Sequence, residues 1–581
     1  MALDTAPPGR DVEALSPTGK PSRPSHWSIL LDQAGVDDEV LHHKYAGQGT
    51  PEAPFLVDFL PDDARNPMTF PSPYKWIVTI TTAVSALAVA FTSSAYSSSV
   101  LQVGNEFHVS HEVAILGISL FVLGFAVGPL FWAPFSELYG RQKLFFITYL
   151  ALTAFNAASA SAPNATALLV LRFMAGAWGS SPLTNAGGVV ADLFTARQRG
   201  MATCAFALAP FLGPTLGPIV GGFVAEAAGW RWVMRLTAIF TGTMCIFQAL
   251  VVPETYAPVL LRKRAEVLSR QTGKSYRSRI DAASPRATIM SRLRLNLSRP
   301  WILLFKEPIV FMTSIYLAII YGVLYMCFAA FPIVFQAPYP QGWGWGLGAG
   351  GLSFVGIMIG VMIAIFGTIV DNARYARTAA KHGGVAPPES RLPPAILGAV
   401  LLPVGLFWFA WTNGTNIHWA VPMTGSGVFG AGLVLVFLPL TNYLVDSYVI
   451  YAASVLAASA VVRSLFGAVF PLFTGYMYRD LGLHWASSVP AFLSLACLPF
   501  PLLFYKYGER IRSRCHYSAE AAAVLAQMMA HRHPPEGEGP MVAKEEMEVG
   551  VNRMDTQDTQ DLQDLQVPRG ETTEPPVSQL K

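Results

Sequence analysis

Two arginines stand inside stretches of sequence that are otherwise apolar. Arg172 follows Leu169-Val170-Leu171 and precedes Phe173-Met174-Ala175-Gly176, and Arg463 follows Ala460-Val461-Val462. Seating a guanidinium inside an apolar helix costs roughly 2.5–3.5 kcal/mol on insertion scales. Each must therefore face a partner or a watery cavity, or else be taken up by backbone carbonyls. A third constellation, in residues 133–143, places Glu137 just before a glycine turn at Gly140, with Arg141 and Lys143 beyond it. At the end of a membrane helix this spacing can bridge helix ends by charge-assisted hydrogen bonds. Snorkelling of the same charges to the interface is the plain alternative. Residues 367–374 read as a degraded copy, with Asp371 four residues after Gly367 as Glu137 follows Ala133. Tyr96, Asn185, Tyr316, Tyr321, Tyr325, Asn442 and Tyr443 are candidates to line a shared polar cavity, together with Thr92 and Ser93. Taken singly, each of these is read as packing before ligand contact.

The elements that must hold these residues follow from composition. The chain has 581 residues, 52% of them hydrophobic and only 13% charged. An ordinary globular protein carries about twice that charge fraction. Apolar runs of roughly 20 residues, the length that crosses a bilayer, fall near 75–98, 113–135, 144–162, 166–189, 200–225, 231–252, 309–332, 347–370, 394–412, 418–445, 451–475 and 486–506. The long gap after the sixth divides them into two blocks of six. The expected fold is all-α: twelve transmembrane helices in two pseudo-symmetric six-helix bundles. The domain boundaries are a disordered N-terminal tail (1–74), a first bundle (75–252), a basic linker (253–308), a second bundle (309–506) and a C-terminal tail (507–581), acidic and disordered at its end. The fifth run contains Ala209-Pro-Phe-Leu-Gly213-Pro214-Thr-Leu-Gly217-Pro218-Ile-Val-Gly221-Gly222. A helix held by neighbours in a bilayer tolerates such Gly and Pro density. Gly213, Gly217 and Gly221 put a flat stripe on one face for close approach of another helix.

Orientation comes from charge. Positions 262–306 hold twelve Lys/Arg against Glu266 and Asp281, and the alternate loops are basic as well. By the positive-inside rule the linker and both termini face the cytoplasm. Contact of the 262–306 linker with anionic lipid is expected, rather than nucleic-acid binding. The sequons at Asn164 and Asn413 fall in outer loops and are candidates for glycosylation. The five cysteines fit small-residue packing and give no disulfide pattern. No clustered histidines or paired acids that would make an enzyme or a metal site lie inside the spans, and no phosphate-binding loop of an ATP-driven pump is present, because Gly273-Lys274-Ser275 lacks the upstream glycine.

Taken together, these residues resemble the major facilitator superfamily over 75–506. Glu137–Gly140–Arg141 resembles its loop 2–3 signature, with Ala133 in place of the usual glycine and Gln142 interrupting the basic pair. Arg172 with Gly176 resembles the fourth-helix motif. Gly213-Pro214, Gly217-Pro218 and Gly221-Gly222 resemble the fifth-helix motif of the twelve-helix drug:proton antiporters. Asn66-Pro67, Lys75-Trp76, Trp230-Arg231-Trp232, Pro253-Glu254-Thr255-Tyr256 and the stretch from Arg463-Ser464 to Phe470-Pro471-Leu472 resemble the fungal branch with polyamine and multidrug exporters.

The resemblance implies proton-coupled export of a small organic molecule by alternating access. No cofactor is needed beyond the proton gradient, and a monomer in the plasma membrane is expected, with the vacuolar membrane as alternative. Glu137 and Asp192 would latch one state, Arg172 would take part in proton coupling, and the fifth-helix glycines would seal the cavity. The acids Glu137, Asp192, Glu226, Asp371 and Asp446 all lie at helix ends, so no midplane carboxylate is at hand to carry the proton or to hold a polycation. An uncharged or amphipathic drug or secreted metabolite is therefore preferred. A polyamine exporter, or an importer or uniporter of the same fold, is the alternative.

Overall fold

In the computed structural model the described residues are 25–61, 63–283, 289–381 and 386–532. Among them, ten helical segments are long and apolar enough to cross a bilayer. The last of these, Val449–Arg512, would measure about 96 Å as one straight helix, three times the hydrocarbon core of about 30 Å. It is two helices. Gly482 breaks it with φ 75°, and Tyr478 meets Ser487 hydroxyl to hydroxyl at 2.8 Å, nine positions along the chain. Nine residues of continuous helix would set those groups about 13 Å apart.

With the 29-residue helix Ala165–Leu193, the membrane helices are α1 (Ser72–Ala95), α2 (His111–Tyr139), α3 (Arg141–Ala160), α4 (Ala165–Leu193), α5 (Ala209–Ala228) and α6 (Trp230–Val251). The second set comprises α7 (Pro308–Phe331), α8 (Val355–Lys381), α9 (Pro393–Thr412), α10 (Ala420–Ser447), α11 (452–481) and α12 (483–512). A short helix, Ala196–Ala207, leads into α5, and Leu347–Gly351 leads into α8. Within the first set α1 packs on α5, α2 on α4 and α3 on α6; within the second, α7 packs on α11, α8 on α10 and α9 on α10. The two sets meet where α2 touches α11 and where α5 touches α8 and its lead-in.

The expectation of a disordered stretch over 1–74 is corrected for its described part. Ser25 caps the helix His26–Leu31, and Asp37 caps Asp38–His42. Strand β1 (Phe55–Val57) pairs in parallel with β2 (Tyr276–Ser278) of the linker, Phe55 opposite Tyr276. The linker helix Ala257–Thr272 supplies the anchor. Its buried Arg264 donates to both Asp63 carboxylate oxygens and to the carbonyls of Ala34 and Gly35. Polar composition concealed this order because the ordering contacts come from a linker 200 positions away rather than from the tail's own apolar residues. The remaining expectations for the tails, at 1–24 and 533–581, lie outside the described residues.

Candidate functional site

Arg172 is fully buried between α1, α2 and α4. Its Nε donates to the Gly117 carbonyl, Nη1 to that of Thr92 and Nη2 to that of Ser93, each at 3.1 Å. The guanidinium lies 4.3 Å from the Phe121 ring centroid and 5.0 Å from that of Tyr96. Thr92 and Ser93 sit where α1 passes into the 3-10 turn Tyr96–Ser99. Hydrogen bonds from a charged donor contribute about 1.5–3 kcal/mol each. Three of them offset the cost of burial, so this arginine is taken up by backbone carbonyls.

The Ser93 hydroxyl meets the Tyr325 hydroxyl of α7 at 2.8 Å, which carries the network from one bundle to the other. Tyr321, one turn earlier on α7, donates to Tyr325 at 3.4 Å. Arg463 of α11 then stands 5.0 Å from the Tyr321 ring and 5.1 Å from that of Phe437. Phe437 in turn packs edge-on against Phe211 of α5, with centroids 4.9 Å apart. Arg463 Nε is buried with no hydrogen-bond partner among the described residues. One arginine per bundle, joined through Ser93, Tyr325 and Tyr321, makes a cationic and aromatic seam between the two halves.

The other cavity candidates are dispersed. Tyr96 is buried under Arg172 and donates to the Ala114 carbonyl, packing α1 on α2. Asn185 accepts from Ser136 at 2.9 Å and joins α4 to α2. Tyr316 of α7 packs against Phe500 and Tyr443 of α10 against Phe504, both joining α12 to the rest of the second bundle. Asn442 is half-buried on α10.

At the linker side of the first bundle, Arg141 Nε donates to Asp192 at 2.5 Å, and its guanidinium lies 5.0 Å from the Tyr256 ring. Gly188 makes room: a Cβ there would meet that guanidinium at 2.4 Å. Burial and the neighbouring Glu137 carboxylate push the Tyr256 hydroxyl up to about 12, which keeps it protonated. Glu137 itself is exposed in the last turn of α2. The centre of the cluster is Glu254, a fully buried carboxylate that sequence reasoning placed only in a motif without a role. It accepts from the amides of Arg141, Gln142, Thr255 and Tyr256. Gly140, at φ 95°, leaves α3 without a side-chain cap of its own, so Glu254 supplies one from 113 positions away. An anion at a helix N-terminus meets free N–H groups and the positive end of the helix dipole.

The second bundle repeats this arrangement at residues other than the expected one. Asp371 pairs with Arg374 of its own helix at 2.7 Å. The counterpart of Arg141–Asp192 is Arg391–Asp446, 2.9 Å apart, with Arg391 just before α9 and Asp446 at the end of α10. Arg391 stacks on Tyr375 as Arg141 does on Tyr256. Glu389 holds Arg512 at 2.8 and 3.0 Å, tying α12 back to the start of α9 as Glu254 ties the end of α6 to α3. The signal was the ordinal position of each charge at a helix end, not its local motif.

On the far side, the α5 stripe has two faces. Cβ atoms at Gly213, Gly217 and Gly221 would meet Leu87 O, Ser94 Oγ and Ala95 O of α1 at 2.8, 2.0 and 2.7 Å. Gly222 faces the other bundle, where a Cβ would lie 2.4 Å from Leu347 O; the Pro218 carbonyl approaches Gly351 in the same way. Glu226 accepts from the Gly348 amide at 2.6 Å. Pro214 and Pro218 remain inside one continuous helix. Of the two sequons, Asn164 is exposed and caps α4. Asn413 is corrected as a glycan acceptor: it is 1% exposed, and the amide nitrogen a glycan would occupy donates to Ser487.

Two six-helix bundles with paired charge clusters on one side and a two-armed seam between them define a secondary transporter of alternating-access architecture. Residues 80–471 match the model of the Major Facilitator Superfamily, and the chain belongs to that family. It is 56% identical over 521 residues to the major facilitator superfamily multidrug transporter mdrA of Aspergillus fumigatus, covering 89% of this chain and 85% of that one. It is likewise 56% identical over 509 residues to the MFS-type efflux pump MFS2 of Trichophyton rubrum, covering 88% and 85%. The proton:xylose symporter XylE shares the fold at a TM-score of 0.55, with 16% identity over 75% of this chain and 96% of that one.

Proposed function

We propose that this protein exports uncharged or amphipathic organic molecules, drugs or secreted metabolites, driven by protons moving inward. The carrying observation is the Arg463 side chain, buried at the bundle seam against Tyr321 and Phe437 with a spare Nε donor. A guanidinium with an open donor attracts oxygen acceptors on a cargo and repels a polycation. This disfavours the polyamine reading. The direction rests on the relatives named as a multidrug transporter and an efflux pump. The basic linker supports an orientation with both termini in the cytoplasm. A monomer in the plasma membrane, with Asn164 as the remaining candidate glycan acceptor, belongs to the same reading. Arg172 and Arg463 flank the path on which protons and cargo alternate.

Efflux of a panel of drugs, polyamines and metabolites from cells expressing the chain tests this. Export is expected to collapse on adding a proton uncoupler. Arg172→Lys is expected to lower it at least tenfold at equal surface expression, because a lysine ammonium cannot fork to three carbonyls. Uncoupler-insensitive export of every effective compound would remove proton coupling, and strict selectivity for polyamines would reverse the cargo assignment.

A further inference from the structure

Where α7 begins and α12 ends, on the linker side, the protein carries a cavity of about 730 Å³ that belongs neither to the seam nor to the charge clusters. Its lining includes Lys306, Arg510, Arg514 and His516, all exposed. None of these four forms an ion pair among the described residues. The acid in the lining, Glu307, is occupied elsewhere: it is 1% exposed, accepts from the Tyr448 hydroxyl at 2.8 Å and from the Tyr517 amide at 3.0 Å. The bond to Tyr517 ties the helix His516–Arg532 to the start of α7, and the bond to Tyr448 ties the end of α10 to it. Lys306, Arg510, Arg514 and His516 line the cavity left between them.

Compare the other bases at this end of the second bundle. Arg391 is paired with Asp446, Arg512 with Glu389 and Arg374 with Asp371. Lys306, Arg510 and Arg514 instead share one concavity without an ion pair among the described residues, and like charges held together cost energy unless an anion joins them. The surroundings say where the anion would come from. Phe305, next in sequence to Lys306, is 73% exposed, and Leu502, Leu503, Tyr505 and Tyr507 of α12 are exposed as well. Tyr507 lies in the lining itself. Aromatic and apolar side chains below a cluster of Lys and Arg mark the boundary between acyl chains and headgroups.

We propose that this cavity binds a phosphate-bearing anion of the headgroup layer, its phosphate held by Arg510 and Arg514 and its remaining charge met by Lys306. Guanidinium pairs match phosphate oxygens in bidentate geometry. The test uses the purified full chain in nanodiscs of zwitterionic lipid, titrated with short-chain phosphatidylglycerol in one arm and glycerol phosphate in the other. Saturable binding of phosphatidylglycerol is expected. Arg510→Gln with Arg514→Gln should weaken it tenfold or more. Arg377→Gln with Lys381→Gln, the same charge change on exposed bases at the end of α8, should change it less than threefold. If the arginine pair variant does not fold, Lys306→Gln alone should still weaken binding threefold or more. Comparable binding of glycerol phosphate would support the phosphate site and assign a soluble organophosphate as its source. Equal losses in both double variants, no effect of Lys306→Gln, or the absence of saturable binding in either arm would overturn the proposal.

Discussion

Glu254 shows chemistry that spacing alone conceals. Its carboxylate closes four backbone amides at the start of α3 and beyond α6, and a Cβ at Gly140 would lie 2.1 Å from it. Each orphaned amide costs about 1–3 kcal/mol when buried. Glu254→Ala is therefore expected to lower the unfolding temperature of the detergent-solubilised protein and to cut export at least tenfold. Glu254→Asp, which keeps the charge but shortens the reach, should retain part of both. Unchanged stability in the alanine variant would show that water satisfies those amides. Arg172 and Arg463 were legible because charge inside an apolar run demands an account. Glu254 was not, because a carboxylate just past a helix end looks the same whether it is solvated or turned inward. Asp371 drew attention by local likeness to Glu137, yet the ion pair of the second bundle that corresponds to Arg141–Asp192 forms between Arg391 and Asp446.

At the scale of elements, α5 was the most readable segment, because glycine spacing reports close approach directly. The structure adds that one helix serves two partners: Gly213, Gly217 and Gly221 on α1, Gly222 on the lead-in to α8. Gly217→Leu would set a Cβ 2.0 Å from Ser94 Oγ and 2.7 Å from the Ala95 amide. Overpacking of this kind costs typically 1–3 kcal/mol. The variant is expected to lose most surface expression and the remaining export per molecule. Gly475→Ala on α11, where nothing lies within 4 Å of a Cβ, should behave as the unaltered protein. Equal behaviour of the two variants, measured by surface labelling and efflux, would remove close packing as the reason for the stripe. Element ends were less legible than their existence: the apolar runs stopped at 475 and resumed at 486, whereas helix continues up to a single break at Gly482. Hydropathy fades at an interface before backbone geometry does.

At the scale of the molecule, the two halves are held by contacts that alternating access must break. On the side away from the linker these are the α5 contacts with 347–351: Gly222 against Leu347, Pro218 against Gly351, and Glu226 on the Gly348 amide. A transporter that never parted them could not release cargo on that side. A Cβ on Gly348 would lie 2.6 Å from Phe223 Cδ1 and 2.7 Å from Glu226 Oε2, so cysteines at 223 and 348 fall within the few ångströms that a disulfide spans. Replacing the Phe223 ring removes the first clash, and the Glu226 carboxylate at the end of its flexible side chain must shift to relieve the second. In Phe223→Cys with Gly348→Cys, oxidation is expected to join α5 to the α8 lead-in and stop export, and reduction to restore it. Phe223→Cys alone should export normally under both conditions, and Gly348→Cys alone, which still meets the Phe223 ring, should show no change between oxidation and reduction. The cysteines at 245, 327, 497 and 515 are buried, and the experiment is run with the fifth, Cys204, replaced by serine so that it adds no competing cross-link. Full export by cross-linked molecules, counted by mass spectrometry of the joined peptides, would mean that this seam stays closed throughout the cycle and that cargo leaves by another path.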